Sequence, residues 1–73
     1  MPLNPLSYRE VKRKLEAAGF VEVSQKGSHV KFAKTTEEGT RTAIVPRYRE
    51  ITIGTIGSIL RQAGISADEF AEL

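Results

Sequence analysis

The spacing of hydrophobic residues divides the chain into a helical stretch, a stretch of strands and a second helical stretch. In the first, apolar residues recur at i, i+4 and i+7, which is one face of an α-helix; they are Val11, Leu15 and Ala18. Ser7 is placed to cap this helix, and Glu10 follows three residues later, which completes a capping box. Gly19 is expected to end the helix in a left-handed conformation.

Between Phe20 and Pro46 the apolar residues fall at every second position, which is the period of strands in a half-buried sheet. We expect three short antiparallel strands. A tight turn at Lys26-Gly27 joins the first two, and a looser turn through "TTEEGT" leads into the third. Pro46 cannot donate to a strand ladder, so it should close the third strand at an edge or end.

The same alternation assigns side chains to the two faces of the predicted sheet. Val21 and Val23 are expected on the apolar face of the first strand, because Glu22 and Ser24 alternate with them. In "HVKFAK" the apolar residues alternate with His29 and Lys31, which should therefore share the polar face.

After residue 50 the helical period returns, with an apolar stripe at Ile56, Ile59, Leu60 and Ala63. Gly64 is expected to end this helix, and Ser66 with Glu69 repeats the capping box before a short last helix. Gly54 and Gly57 lie early in the longer helix, where an interior glycine costs about 1 kcal/mol relative to alanine. Close packing or the approach of a substrate would explain them.

The order helix, three-stranded antiparallel sheet, helix, short helix predicts an α+β fold. Helices with one apolar stripe and strands with one apolar face pack best when the helices cover one face of the sheet. The other face stays open to solvent. On that face we expect His29 and Lys31, with Lys26 at its rim.

Length and composition exclude several classes of function. A chain of 73 residues is near the lower limit for a single core and too small to enclose a deep active site. It has no cysteine and one histidine, so a thiolate zinc site, a histidine cluster and disulfides are excluded, and we expect no metal and no cofactor. No apolar run approaches the ~20 residues that span a bilayer, and "MPLNPLSYRE" does not resemble a signal peptide, so we expect a cytoplasmic protein.

The charge is distributed unevenly. The net charge is only +2, but five of the nine acidic residues lie in two clusters, Glu37 to Glu38 and Asp68 to Glu72. Without those clusters the chain carries eleven basic and four acidic residues. This balance favours a polyanionic partner, although a solvated surface of lysines is the ordinary alternative.

Three segments together carry a resemblance to a known family: "LEAAGFVEVSQKGSHVKF", "IVPRYREI" and "GTIGSILRQAGIS". In the order and spacing of these motifs the chain resembles the HicA (YcfA-like) toxins, which are bacterial mRNA interferases. The resemblance implies a double-stranded-RNA-binding-like fold, and a single HicA-like domain over residues 1–73. It also implies a metal-independent endoribonuclease, held inactive by a HicB-like antitoxin protein. We expect mRNA as substrate, and a monomer when the protein is free.

By position, the histidine of the family's Gly-Ser-His motif is His29, which the resemblance implies is catalytic. Gly27 and Ser28 fill the two preceding positions. The chain departs from the family pattern at Tyr48, where a histidine is common, and at Gly57, where a basic residue is common.

One histidine suits metal-free RNA cleavage, because imidazole titrates near neutral pH and serves as either base or acid. We expect the cations Lys26, Lys31, Arg47 and Arg49 to favour the neutral imidazole and to attract the phosphate. The second proton transfer is then left to water, Tyr48 or a lysine. An ordinary turn residue without a catalytic role is the alternative interpretation of His29.

Further RNA contacts are expected from the turn and from "RYR". Lys26, Gly27, Ser28 and Lys31 would line the first, while Arg47, Tyr48 and Arg49 would form a clamp in which the ring stacks on a base and the arginines hold phosphates. An ordinary solvated linker explains "RYR" equally well. For the whole chain, a non-catalytic RNA-binding module of the double-stranded-RNA-binding type is the main alternative function, and a protein that binds only an acidic protein partner is another.

Overall fold

The computed structural model describes residues 3–73, and its elements follow the order expected from the sequence. They are α1 (Tyr8–Ala17), β1 (Val21–Lys26), β2 (His29–Thr36), β3 (Gly39–Pro46), α2 (Ile53–Ala63) and α3 (Ala67–Ala71). The three strands form one antiparallel sheet in the order β1-β2-β3. The prediction of an α+β fold is therefore confirmed.

The helix ends are set by the residues that the sequence indicated. The hydroxyl of Ser7 accepts a hydrogen bond from the backbone of Glu10 at 3.2 Å, and Ser66 accepts one from Glu69 at 3.0 Å. Gly64 has a φ of 73° and ends α2 in the left-handed region, as expected. The predicted capping box of α1 is only half formed, because the Glu10 carboxylate binds the guanidinium of Arg13 instead.

The core lies between the helices and one face of the sheet. Val30 and Phe32 of β2 pair with Val45 and Ala43 of β3, and all four side chains are fully buried. The apolar stripe of α2 packs against them, since Ile56, Ile59, Leu60 and Ala63 are buried too. One face of the sheet is thus covered by the helices, which leaves the face that carries His29 open.

The prediction for β1 is wrong in one respect, because Val21 and Val23 do not face the core. They are 59% and 52% exposed, and every residue of β1 is exposed. Val21 pairs with Ala33, and the register shifts between Glu22 and Ser24, where a bulge disrupts the ladder. Glu22, which lies between the two valines, faces the helices instead, and its carboxylate pairs with Nζ of Lys12 in α1 at 3.4 Å.

Both turns are shorter or differently placed than expected. Lys26 pairs with His29, so the first turn consists of Gly27 and Ser28 rather than Lys26 and Gly27. Gly27 has a φ of 59°, and a positive φ at the first central position is the pattern of a type II′ hairpin turn. The turn from Thr36 to Gly39 is also tight.

Two lysines support the ends of helices. Nζ of Lys34 donates to the carbonyl of Ala18, just after α1, at 2.6 Å. Nζ of Lys14 donates to the carbonyls of Phe70 and Leu73, at the end of α3, at 3.0 and 3.2 Å. A cation at a helix C-terminus interacts favourably with the exposed carbonyls and the helix dipole. Both lysines therefore contribute to the fold.

The two early glycines of α2 are not explained by close packing. A Cβ added to Gly54 would have no neighbour within 4 Å, and one added to Gly57 would meet only the guanidinium of Arg61, at 3.6 Å. Of the two explanations for these glycines, only the approach of a substrate stays a prediction.

Candidate nucleic-acid interface

His29 stands on the open face of the sheet, as its alternation with Val30 indicated. It is the first residue of β2, and its register partners are Lys26 of β1 and Pro46 of β3. The side chain is exposed, and within residues 3–73 it has no hydrogen-bond or ion-pair partner. The imidazole is therefore accessible to a large ligand, and both ring nitrogens are available.

Two lysines accompany the imidazole on this face. Lys26 is directly opposite His29 in the ladder, and Lys31 follows two residues later in β2, so its side chain points to the same side. Both side chains are exposed and make no ion pair within the part of the chain that the structure describes. The structure thus brings His29, Lys26 and Lys31 together, as the alternation of residues implied.

Gly27 and Ser28 form the turn between Lys26 and His29. A Cβ at Gly27 would meet nothing within 4 Å, so the backbone of the turn is open to solvent on this side. The carbonyl of Gly27 accepts a hydrogen bond from Nε2 of Gln25 at 3.0 Å, and the carbonyl of Ser28 accepts one from the backbone N–H of Arg47 at 2.6 Å. The turn is short and held at both carbonyls.

The backbone of Arg47 lies close to the turn, but its side chain already contacts other residues of the protein. The guanidinium lies over the ring of Tyr8, 5.3 Å from the centroid, and Nη1 donates to Oε1 of Gln25 at 3.4 Å. Its contact with the first residue of α1 puts it on the side of the helices. Arg47 therefore differs from Lys26 and Lys31, whose side chains lie on the open face.

Tyr48 and Arg49 lie in the segment that connects β3 to α2. Tyr48 is 52% exposed, and Arg49 is exposed as well. Neither side chain has a hydrogen-bond or ion-pair partner among residues 3–73. An exposed ring next to a free guanidinium is available for stacking on a base and for binding a phosphate.

Tyr8 and Gln25 contact the predicted site residue Arg47, but the sequence reasoning missed them. Tyr8 is 39 positions away from Arg47 along the chain, so no local pattern joins them. Burial raises the pKa of the Tyr8 hydroxyl above its ordinary value of 10.0, with a further contribution from Glu22, while Lys12 and Arg47 act in the opposite direction. The phenol is therefore neutral near pH 7, and its ring face attracts the guanidinium as an uncharged aromatic does.

The open face also carries apolar side chains. Val21 and Ile44 are 59% and 39% exposed, and they lie in neighbouring rows on either side of Lys31. The amide of Ile44, at the outer edge of β3, is capped by Oε1 of Gln62 at 3.0 Å. The open face therefore offers apolar as well as charged contacts to a ligand.

Two grooves of the described chain contain none of the predicted site residues. One groove is lined by Leu3, Leu6 and Phe70, and another by Lys34, Arg41 and Ile65. The site around His29 is thus an open surface, which suits an extended polymer better than a small molecule.

Within residues 3–73, no three His, Cys, Asp or Glu side chains lie close enough together to hold a metal ion. No helix in that range has the length and hydrophobicity that crossing a membrane requires.

The comparison with known families agrees with the resemblance of the motifs. A family model described as "HicA toxin of bacterial toxin-antitoxin" matches residues 8–65, which is 58 of the 73 residues. The matched region begins with α1 and ends just after Gly64, so it includes the whole sheet and both longer helices. A search of curated proteins gave no match.

Proposed function

Because the chain belongs to the HicA toxin family of bacterial toxin-antitoxin systems, we propose that it is an endoribonuclease that cleaves mRNA with His29 and without a metal ion. The observation that carries this proposal is the exposed imidazole of His29, opposite Lys26 and beside Lys31 on the open face of the sheet. This combination supplies a group for proton transfer together with charge for a phosphate.

In the proposed reaction, His29 removes the proton of a ribose 2′-hydroxyl, and the 2′-oxygen attacks the adjacent phosphorus. The bond from phosphorus to the 5′-oxygen of the next nucleotide breaks, and that oxygen takes up a proton. The products are a 2′,3′-cyclic phosphate and a 5′-hydroxyl. Lys26 and Lys31 would stabilise the negative charge that develops on the phosphoryl oxygens. Water, Tyr48 or a lysine supplies the second proton.

The remaining contacts are proposed to position the RNA strand. Tyr48 stacks on an unpaired base and Arg49 binds a phosphate, while the open backbone at Gly27 and the hydroxyl of Ser28 allow the strand to approach the imidazole. Tyr48 and Arg49 are exposed, and their side chains have no hydrogen-bond or ion-pair partner among residues 3–73, which supports this assignment. Arg47 was expected to bind phosphate as well, but its engaged guanidinium favours another role.

The deciding experiment compares the unmodified protein with His29→Ala on a single-stranded transcript, in buffer containing EDTA. We expect cleavage by the unmodified protein and a loss of about 10² to 10⁴-fold in the variant, the range for one acid-base group. RNA affinity should be unchanged, because the cations remain. Binding without cleavage in both proteins would show a non-catalytic RNA-binding module instead.

Membership of a toxin-antitoxin family implies an antitoxin partner. We propose that this partner covers His29 with a surface rich in Asp and Glu, centred on the hairpin from Lys26 to Lys31. The exposed Val21 and Ile44 would provide the apolar contacts of that interface. In a purified complex, His29 should then be protected from modification by diethyl pyrocarbonate, a reagent that attacks free imidazole. A complex in which His29 stays reactive would contradict the proposed position.

A further inference from the structure

The turn that precedes His29 is tied to the rest of the protein by two hydrogen bonds. Gln25 donates to the carbonyl of Gly27 from β1, and the backbone of Arg47 donates to the carbonyl of Ser28 from the end of β3. These are the two residues of the turn, and both of their carbonyls are held. The position of His29 therefore depends on Gln25 and on Arg47.

The side chain of Arg47 connects these bonds to α1. Its guanidinium donates to the same Gln25 amide that binds Gly27, and it stacks on the neutral ring of Tyr8. A continuous set of contacts thus runs from Tyr8 through Arg47 and Gln25 to the turn. We call these three residues the hairpin brace.

The hairpin brace lies on the face opposite to the imidazole. Gln25 pairs with Val30, which faces the core, so the side chain of Gln25 lies on the helix side of the sheet. Arg47 follows the last residue of β3, and its guanidinium is directed to that side by its hydrogen bond to Gln25. Its contact with Tyr8 of α1 agrees with this direction. A phosphate bound next to the imidazole on the open face would be on the other side of the sheet from the Arg47 guanidinium.

We propose that Arg47 is a positioning residue for the reaction, and that Tyr8 and Gln25 hold it in place. The inference rests on the proposed role of His29, and it assigns Arg47 to support of the turn instead of phosphate binding. Small displacements of a reacting group reduce rates strongly, because attack requires close and aligned atoms. A loosened turn would therefore lower the rate of cleavage while RNA binding stays the same.

The first test needs no activity. Hydrogen exchange by NMR would be measured at the amides of His29 and residue 47 in the unmodified protein, in Tyr8→Leu and in Arg47→Ala. We expect both variants to exchange several-fold faster at these amides and to match the unmodified protein in the core strands. Tyr8→Phe keeps the aromatic face and should leave exchange unchanged.

The second test measures single-turnover cleavage, RNA affinity and its salt dependence in the same variants. We expect Tyr8→Leu and Arg47→Ala each to lower the cleavage rate about three- to tenfold, which is the effect of losing a cation-aromatic contact and a weak hydrogen bond. Their double variant should be no slower than the slower single variant, because both changes break one set of contacts. Arg61→Ala is the control, since it removes the same charge from an exposed position at the end of α2.

The outcomes separate the alternatives. If Arg47→Ala weakens RNA binding and flattens its salt dependence while Tyr8→Leu does neither, Arg47 binds phosphate and the inference is wrong. Unchanged hydrogen exchange at the turn in both variants would also show that the inference is wrong. If Tyr8→Leu does not fold, Gln25→Ala replaces it, because it removes another contact of the hairpin brace. If the unmodified protein cleaves no RNA, the proposed function fails, while the exchange measurement still decides whether the brace holds the turn.

Discussion

Lys34 and Lys31 lie three residues apart on β2, and replacing each with methionine should change a different property of the protein. Lys34→Met should lower its stability, and Lys31→Met should change its RNA binding. Lys34 is partly buried on the helix side, where it donates to the Ala18 carbonyl at 2.6 Å. Its aliphatic stem covers Gly19, so methionine at this position keeps the packing and removes only the ammonium group. Lys31 is exposed on the open face and has no protein partner among residues 3–73.

The cost of Lys34→Met follows from the contact that is lost. A hydrogen bond from a charged group contributes about 1.5 to 3 kcal/mol, and a cation at a helix C-terminus contributes within that total. We therefore expect the free energy of unfolding to fall by about 2 kcal/mol. For a domain of this size, that lowers the melting temperature by roughly 8 to 16 °C. A chain of 73 residues has a total stability of roughly 4 to 11 kcal/mol, so the variant should still fold.

Urea unfolding followed by circular dichroism measures the effect directly. With a slope of about 1 kcal/mol per molar urea, the midpoint of Lys34→Met should move down by about 2 M. Lys31→Met should stay within about 0.5 kcal/mol of the unmodified protein. In RNA binding, Lys31→Met should be the variant that changes. The slope of log affinity against log salt concentration should decrease by about 0.7 in Lys31→Met, which is the value for one phosphate contact on a single strand. The slope for Lys34→Met should not change. Equal stability of the two variants would refute the assignment of Lys34 to the end of α1.

Two further predictions concern a backbone position and an aromatic side chain. Gly27→Ala and Gly64→Ala should each destabilise the protein by about 1 kcal/mol in thermal unfolding, because both glycines have a positive φ. The Arg41 guanidinium, 2.8 Å from the new Cβ at position 64, is the end of an exposed, flexible side chain and can move aside, so a clearly larger cost at Gly64 would contradict this. Tyr48→Leu should weaken RNA binding about tenfold through loss of stacking, whereas Tyr48→Phe should keep the affinity. Slower cleavage by Tyr48→Phe would identify the hydroxyl as the second proton-transfer group, and unchanged cleavage would exclude it.

The order of elements could be predicted from the sequence because local patterns determine it. Ser7, Gly19 and Gly64 mark helix ends through their own backbone chemistry, and each does so in the structure. The faces of β2 were predictable for the same reason, since Val30 and Phe32 form a simple alternation with His29 and Lys31. Periodicity was sufficient wherever neighbours in the chain decide the outcome.

The sequence reasoning failed where the outcome depends on the register of a strand. Val21 and Val23 alternate as a half-buried strand does, but β1 has a bulge between Glu22 and Ser24 and turns Glu22 toward α1, and the pattern shows neither feature. The same limit applies to the turn. Lys26-Gly27 and Gly27-Ser28 are both reasonable turn pairs, and only the pairing of Lys26 with His29 decides between them.

The candidate site shows this difference most clearly in its cations. Counting charges indicated a polyanionic partner, but it could not tell which basic residues are free to bind one. Six of the eleven contact other parts of the protein: Lys12, Arg13, Lys14, Lys34, Arg41 and Arg47. Apart from the pair of Arg13 and Glu10 within α1, each of these contacts joins residues that are distant from one another in the sequence. The cations nearest to His29 in the ladder are Lys26 and Lys31, and neither has a partner within residues 3–73. The face proposed to bind RNA is therefore defined by the basic side chains that the fold leaves without a partner, and amino-acid composition alone does not identify them.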